Sequence, residues 1–349
     1  MEPLDDAKFS GTKEVAEHLT IEISNLQPWI DEFVPGAGKI NSIEQFKGGQ
    51  SNPTYKIVTE SKNLVLRRKP PGKLLPSAHA VDREYKVITA LYQTDVPVPK
   101  TYGLCEDDEI AGTAFFVMDF LDGDLFWNPM IPSLSNQDRT EIYQNKNKTL
   151  ALLHGVDYKK IGLEDYGKPG NYVARQVARW SKQYRASETD DIEAMNNLID
   201  WLPKNIPDDD ETSIVHGDYR LDNMILKNNQ VMGILDWELS TLGHPIADFS
   251  YHCLSWRTQE AFWDQAKLKE LGVPSEKEYM DMYCENTGKD LSKNWEFYMA
   301  FNMFKIAGIL QGILGRVRDG TASSKHAEDR GMMVYPLSEA AWNTIIENF

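Results

Sequence analysis

A change of periodicity near residue 122 constrains this chain more than any other feature. Before it, short runs at 42–47, 53–60, 63–69, 98–105 and 113–121 read as strands. The first three are joined through Gly48-Gly49 and the polar turn Glu60-Ser61-Lys62-Asn63, an antiparallel meander. Between the third and fourth runs Val81, Tyr85, Ile88 and Tyr92 recur at helical spacing, which predicts one helix from about Ser77 to Tyr92. An earlier helix carries Leu26, Trp29, Ile30 and Phe33 on one face and stops at Pro35-Gly36-Ala37-Gly38. Past Gly123 the patterns are helical at 138–155, 171–187 and 190–202, then give a short strand pair at 224–227 and 231–236, then helices to the end. The expected class is α+β, with a small antiparallel-sheet lobe at 1–121 and a larger, mostly helical lobe at 122–349. No repeat or long linker separates them, so the lobes are expected to share a cleft.

Composition narrows the function. The chain has 37 Lys and Arg against 53 Asp and Glu, a formal charge of -16, which disfavours a polyanionic partner such as nucleic acid. Cys105, Cys253 and Cys284 are far apart and form no C-x-x-C pair, which suits a reducing cytoplasm. The acidic N-terminus lacks the apolar core of a signal peptide. The longest apolar stretch, Phe301 to Leu314, is short for a membrane span and is interrupted by Lys305 and Gln311, so no membrane partner is expected.

The chemistry concentrates at 214–223, Ile-Val-His-Gly-Asp-Tyr-Arg-Leu-Asp-Asn, followed by Gly233-Ile234-Leu235-Asp236-Trp237-Glu238. Asp218 and Asn223 have the D-x-x-x-x-N spacing of a phosphoryl-transfer loop, in which the aspartate accepts a hydroxyl proton and the asparagine holds Mg²⁺. Asp236 ends the following strand, where a hairpin would return a second carboxylate to the same metal. Hard oxygen ligands, few in number, are what Mg²⁺ needs, because nucleotide phosphates and water complete its shell.

These motifs, together with Gly243-His244-Pro245-Ile246-Ala247-Asp248, resemble the aminoglycoside phosphotransferase-like family of small-molecule kinases. The resemblance reaches upstream through Phe46 to Tyr55 and Leu64 to Gly72, and so covers roughly residues 40 to 255. Residues 74–85 and 178–190 are most similar to the kinase-like domain that some proteins carry fused to an acyl-CoA dehydrogenase, and the chain is expected to end before any such dehydrogenase. The resemblance implies a protein-kinase-like bilobal fold, ATP or GTP with Mg²⁺ as cofactors, and a small hydroxylated molecule as acceptor.

It also implies roles for residues outside the loop. Gly48, Gly49 and Ser51 would bring a hairpin turn close to phosphates. Arg67 would contact the α/β-phosphates while pairing with Glu84, and strand alternation puts Arg67 and Lys69 on one face with Arg68 on the other. A reciprocal charge swap of Arg67 and Glu84 is expected to recover part of the loss caused by either single change. Backbone groups of Asp119 and Leu121 would meet the adenine edge, and Arg220 the γ-phosphate. His216 and Asp248 read as braces of the loop, and His154 as a packed or capping histidine. For the acceptor, Arg175, Arg179 and Lys182 on one helix face, with Arg316 and Arg318, offer basic groups suited to a CoA phosphate or a carboxylate. The expected activity is phosphorylation of a small-molecule hydroxyl, possibly on a hydroxyacyl-CoA or hydroxy acid. A nucleotide-binding module without turnover and an aminoglycoside or sugar kinase are the alternatives. A protein kinase fits less well, for want of an A-P-E segment and a full G-x-G-x-x-G loop.

Overall fold

A computed structural model describes residues 10–48, 52–72, 79–258, 264–322, 324 and 326–349. Strands β1 (Thr12–Lys13), β2 (Ile40–Phe46), β3 (Thr54–Thr59), β4 (Asn63–Arg68), β5 (Thr101–Cys105) and β6 (Phe115–Asp119) make an antiparallel sheet in the order β1-β2-β3-β4-β6-β5. Its outer face is covered by α1 (Ile23–Phe33), whose Leu26, Trp29 and Ile30 pack on Tyr55, Ile57, Leu64, Leu66, Phe115 and Val117. Gly103 allows that approach, since a Cβ there would meet the Trp29 ring at 3.0 Å. The inner face carries Val65, Phe116 and Met118 against Val87, Ile88 and Leu91 of α2 (Val81–Leu91). Strand β4 is thus covered on both sides, which is why Leu64-Val65-Leu66 runs apolar without alternation.

The helical region contains α3 (Asn136–Gly155), α4 (Tyr172–Ser187), α5 (Glu193–Trp201), α6 (Pro245–Cys253), α7 (Glu276–Thr287), α8 (Trp295–Arg318) and α9 (Val334–Asn348), with shorter helical turns between. The apolar stretch expected to be too short for a membrane belongs to α8, which has 24 residues and is long and apolar enough to cross a bilayer by length and composition. In this fold α8 is a core helix. Its most apolar window is 67% buried, and Phe301, Met303, Phe304 and Ala307 lie inside the protein. Gly308 and Gly315 admit Trp180 and Ser187 of α4 against it.

The sheet and the helical region are bolted together through α2. The Arg83 guanidinium donates to the carbonyls of Tyr166 at 2.8 Å and Ser240 at 3.4 Å and lies over the Tyr166 ring, and Lys86 pairs with Asp165 at 2.6 Å. Three features escaped the sequence reading: β1, the helical turn Asp108–Ala111, and a pairing of three-residue strands around the Asp218 loop.

Lys146 of α3 is 3% exposed, and its ammonium faces the Tyr143 ring at 4.2 Å and the Tyr279 ring at 5.8 Å. Burial pushes it down to about 7 from an ordinary 10.5, against the pull of Cys253 and Asp222. Between those values the unfolded chain holds the proton and the folded chain does not, so this group makes stability rise with pH across that window and costs most below it. We predict that Lys146→Met stabilises the protein at pH 6. The difference in unfolding free energy from wild type should shrink as pH is raised from about 7 to 10.5. Chemical denaturation at several pH values checks this, and a pH-independent difference contradicts it.

Candidate active site

The loop bearing Asp218 is pinned at both ends. Strand β7 (Ser213–Val215) pairs with β10 (Thr241–Gly243), and β8 (Met224–Lys227) with β9 (Gln230–Ile234), so paired strands hold the chain on either side of the loop. At the turn, Gly217 has φ +84° and no room for a Cβ, which would strike the Leu239 carbonyl. Asp248, buried on α6, accepts the N–H groups of His216 and Gly217, each at 2.8 Å, and meets His154 Nε2 at 3.1 Å. Burial pushes the Asp248 carboxyl up, but the His154 hydrogen bond and the histidines around it hold it below the usual carboxylate range. His154 is therefore packed against the loop's anchor, with Tyr283 on its other nitrogen at 2.6 Å.

His216 is fully buried and ties the two acidic segments together. Its Nδ1 accepts the Asp218 N–H at 3.2 Å, so Nε2 carries the proton and donates to the Leu235 carbonyl at 2.9 Å, one residue before Asp236. Asn223 donates from its amide to the Asp218 carbonyl at 2.9 Å and carboxylate at 3.3 Å, which leaves its Oδ1 for another partner. Asp236 sits in the left-handed region at φ 62°, a conformation that aspartate tolerates. Arg220 is 3.4 Å from Asp218 and 2.7 Å from Asp222, with its side chain about half exposed.

Arg67 and Arg68 leave β4 on opposite faces, as alternation requires. Arg68 turns outward into the sheet's outer core, where it donates to the Leu19 and Ala111 carbonyls beneath Tyr55. Arg67 turns into the cleft and joins two carboxylates, Glu84 of α2 at 2.8 Å and Asp236 at 2.6 Å. Neither arginine is a solvated edge: they are 8% and 3% exposed. Burial pushes the Glu84 carboxyl up to about 7 against the pull of Arg67. Asn52, completely buried, also donates to Glu84 at 2.9 Å and meets His79 at 3.0 Å. The sequence reading left Asn52 without a role, although it closes the Gly48–Asn52 run.

Gly48 is half-buried, whereas Gly49 and Ser51 lie outside the described residues. The Asp119 N–H is donated to the Lys100 carbonyl, so it is not open to a ligand, and the Asp119 carboxylate takes the Tyr102 hydroxyl at 2.6 Å. Leu121 packs over Gly233 of β9, where a Cβ would collide with it. Phe46 and Phe120 stack at 6.4 Å, at the end of β2 and just past β6.

The basic groups divide. Arg175 is spent on the backbone carbonyls of Gly170 and Lys168 at the start of α4. Arg179 is exposed, lies 5.3 Å from the centre of its neighbour Trp180, and has no carboxylate partner among the described residues. Arg316 is exposed near the end of α8, about 16 Å along the helix from Lys305 at 1.5 Å per residue. Gly308 lies against Trp180 and Gly315 against Ser187, so Arg316 lies toward the Ser187 end of α4, away from Arg179.

The model of the phosphotransferase enzyme family matches residues 42–283. Acyl-CoA dehydrogenase family member 10 of Mus musculus is 45% identical over 306 residues, 86% of this chain and 29% of that protein. The chain thus spans less than a third of that relative's length. The crystal structure of a candidate aminoglycoside phosphotransferase from Ralstonia eutropha superposes with a TM-score of 0.86 at 48% identity, covering 95% of this chain and all of that one. At 13% identity and a TM-score of 0.61, a thermostable aminoglycoside phosphotransferase mutant in ternary complex with ADP and hygromycin B shares the fold over 91% of this chain and 98% of its own.

Because Arg67 serves two carboxylates, exchanging the charges of Arg67 and Glu84 places a glutamate against Asp236. The recovery should therefore be smaller than the Arg67–Glu84 pair alone would give. Each single reversal should cost about 3–5 kcal/mol, the range for breaking a buried pair, and the double variant should recover only part of the Arg67→Glu loss, because the swapped pair re-forms while its carboxylate still faces Asp236. Thermal unfolding of the three variants checks this, and full recovery to wild-type stability in the double would show that Asp236 does not bear on Arg67.

Proposed function

The chain belongs to the phosphotransferase enzyme family, and on that premise we propose that it transfers the γ-phosphoryl group of ATP to a hydroxyl of a small molecule. The observation that carries this reading is the pairing of Asp218 with Asp236 across one histidine, with Arg67 reaching Asp236 from the sheet. We place the nucleotide on residues 1–121 and the metal and acceptor on 122–349.

Asp218 acts as the general base. Its carboxylate faces the cleft at 22% exposure, held by the Asn223 amide and by a backbone that Asp248 and His216 fix. A base so fixed takes the acceptor's proton without first reorganising. Arg67, locked in orientation by Glu84, presents a guanidinium to the nucleotide phosphates, and Arg220 supplies a second, mobile charge beside Asp218. The Leu121 N–H, which has no partner among the described residues, and the Phe46–Phe120 pair suit the adenine ring.

The donor set fits Mg²⁺. Asn223 Oδ1 and Asp236 Oδ2 are oxygens without hydrogen-bond partners among the described residues, and no group of three or more His, Cys, Asp or Glu gathers there to make a complete protein cage. Asn223 and Asp236 would hold the ion, which neutralises phosphate charge when bound. For the acceptor we favour a hydroxyacyl-CoA or hydroxy acid, supported by the acyl-CoA dehydrogenase family relatives. An aminoglycoside would instead call for carboxylates around its amines.

Asp218→Asn should keep MgATP affinity and lower kcat by about 10²–10⁴-fold, as for loss of a positioned base. Coupled ADP-release assays with calorimetry measure both, and unchanged turnover would remove Asp218 from the mechanism. Asp236→Ala should abolish the tightening of ATP binding by Mg²⁺ while leaving metal-free affinity near wild type. Equal Mg²⁺ dependence in the variant would refute the metal assignment.

A further inference from the structure

Lys305 enters the sequence as the charge that breaks an apolar run, and the fold gives it a specific seat. It projects from α8, half-buried, with its ammonium 4.4 Å from the centre of the Tyr251 ring of α6. Among the described residues it makes no hydrogen bond or ion pair. Burial pushes its ammonium below the ordinary lysine range. The Asp248 and Asp218 carboxylates pull it up and Arg179 pushes it further down, and Trp180, next to Arg179, packs against Gly308 about one turn along α8 from Lys305. Tyr251 feels the same neighbours: burial and Asp218 push its phenol up to about 12, against Arg220. Its hydroxyl likewise has no partner among the described residues. An unpaired lysine is thus held against α6, the helix whose Asp248 anchors the Asp218 loop, with Arg179 on the neighbouring α4.

A cation without a counter-ion in a core helix is costly unless a ligand completes it. The chain's formal charge of -16 favours cationic ligands in general, and an unpaired lysine on the helix packed against the one that anchors the Asp218 loop opposes that preference at one point. The aromatic seat fixes the ammonium, which a flexible side chain would otherwise wave through solvent.

We propose that Lys305, seated on Tyr251 and flanked by Arg179, binds the acyl oxygen of the acceptor, the carboxylate of a hydroxy acid or the thioester oxygen of a hydroxyacyl group, and so selects which hydroxyls reach Asp218. This rests on the phosphotransfer reading above. It makes Lys305 a specificity residue and turns amino sugars away by repulsion near the reacting hydroxyl.

The test compares 3-hydroxybutyrate, 3-hydroxybutyryl-CoA, uncharged 1,3-butanediol and kanamycin as stimulants of ADP release from MgATP. Wild type should respond to the free acid, the thioester or both, which separates the two sources of the acyl oxygen, and not to the diol or kanamycin. Lys305→Met should raise KM for the active acceptor roughly 10–100-fold, the range for losing a hydrogen bond to a charged group, with kcat within a few-fold and MgATP affinity unchanged. Lys305→Arg should restore most of the loss. An unchanged KM in Lys305→Met, or a response to the diol or kanamycin equal to that of the acyl compounds, overturns the proposal. If nothing stimulates ADP release although MgATP binds, the phosphotransfer reading fails separately. Calorimetric binding of the two acyl compounds then decides: weakening in Lys305→Met by the same factor upholds the assignment, and equal binding or none in wild type defeats it.

Discussion

The Arg67 guanidinium lies between Glu84 and Asp236, carboxylates that belong to different parts of the molecule. Each is held by something else, Glu84 by Asn52 at the end of the glycine turn and Asp236 by the segment that His216 grips through Leu235. One cation therefore sets the spacing between the sheet, α2 and the Asp218 loop. Removing it would leave two carboxylates facing each other without their shared counter-ion.

Asp248 does for the helical region what Arg67 does for the cleft. Its oxygens collect two consecutive backbone N–H groups and a histidine, and α6 carries it from beneath the loop. Backbone donors buried at a tight turn must find acceptors, and a single carboxylate satisfies two of them while leaving the Asp218 side chain open. The same helix presents Tyr251 two turns away from its start, so one short element both anchors the loop and lines its far side.

Much of this was legible in the residues. The fold class followed from the switch from strand to helix patterns, and alternation along β4 correctly separated Arg67 from Arg68, because side-chain period in a strand is a local property. The spacing of Asp218, Asn223 and Asp236 was visible because one loop and one hairpin, residues 218 to 236, carry all three. What escaped depends on partners distant in the chain. Strands of three residues, Ser213–Val215 and Thr241–Gly243, carry too little pattern to announce themselves, and the edge strand Thr12–Lys13 exists only because Phe46 and Gln45 lie beside it. Charge at Arg175 promised a ligand, yet its guanidinium is consumed by nearby carbonyls. Lys305 looked like a flaw in an apolar helix, since nothing local shows that Tyr251 lies opposite.

The grip of Arg83 and Lys86 on Tyr166, Ser240 and Asp165 fixes how α2 can behave. That helix carries Glu84, and a helix fastened at two successive turns to the opposite lobe has no cheap way to swing outward. Glu84, and with it Arg67, is thereby kept at a fixed distance from the segments that carry Tyr166 and Ser240.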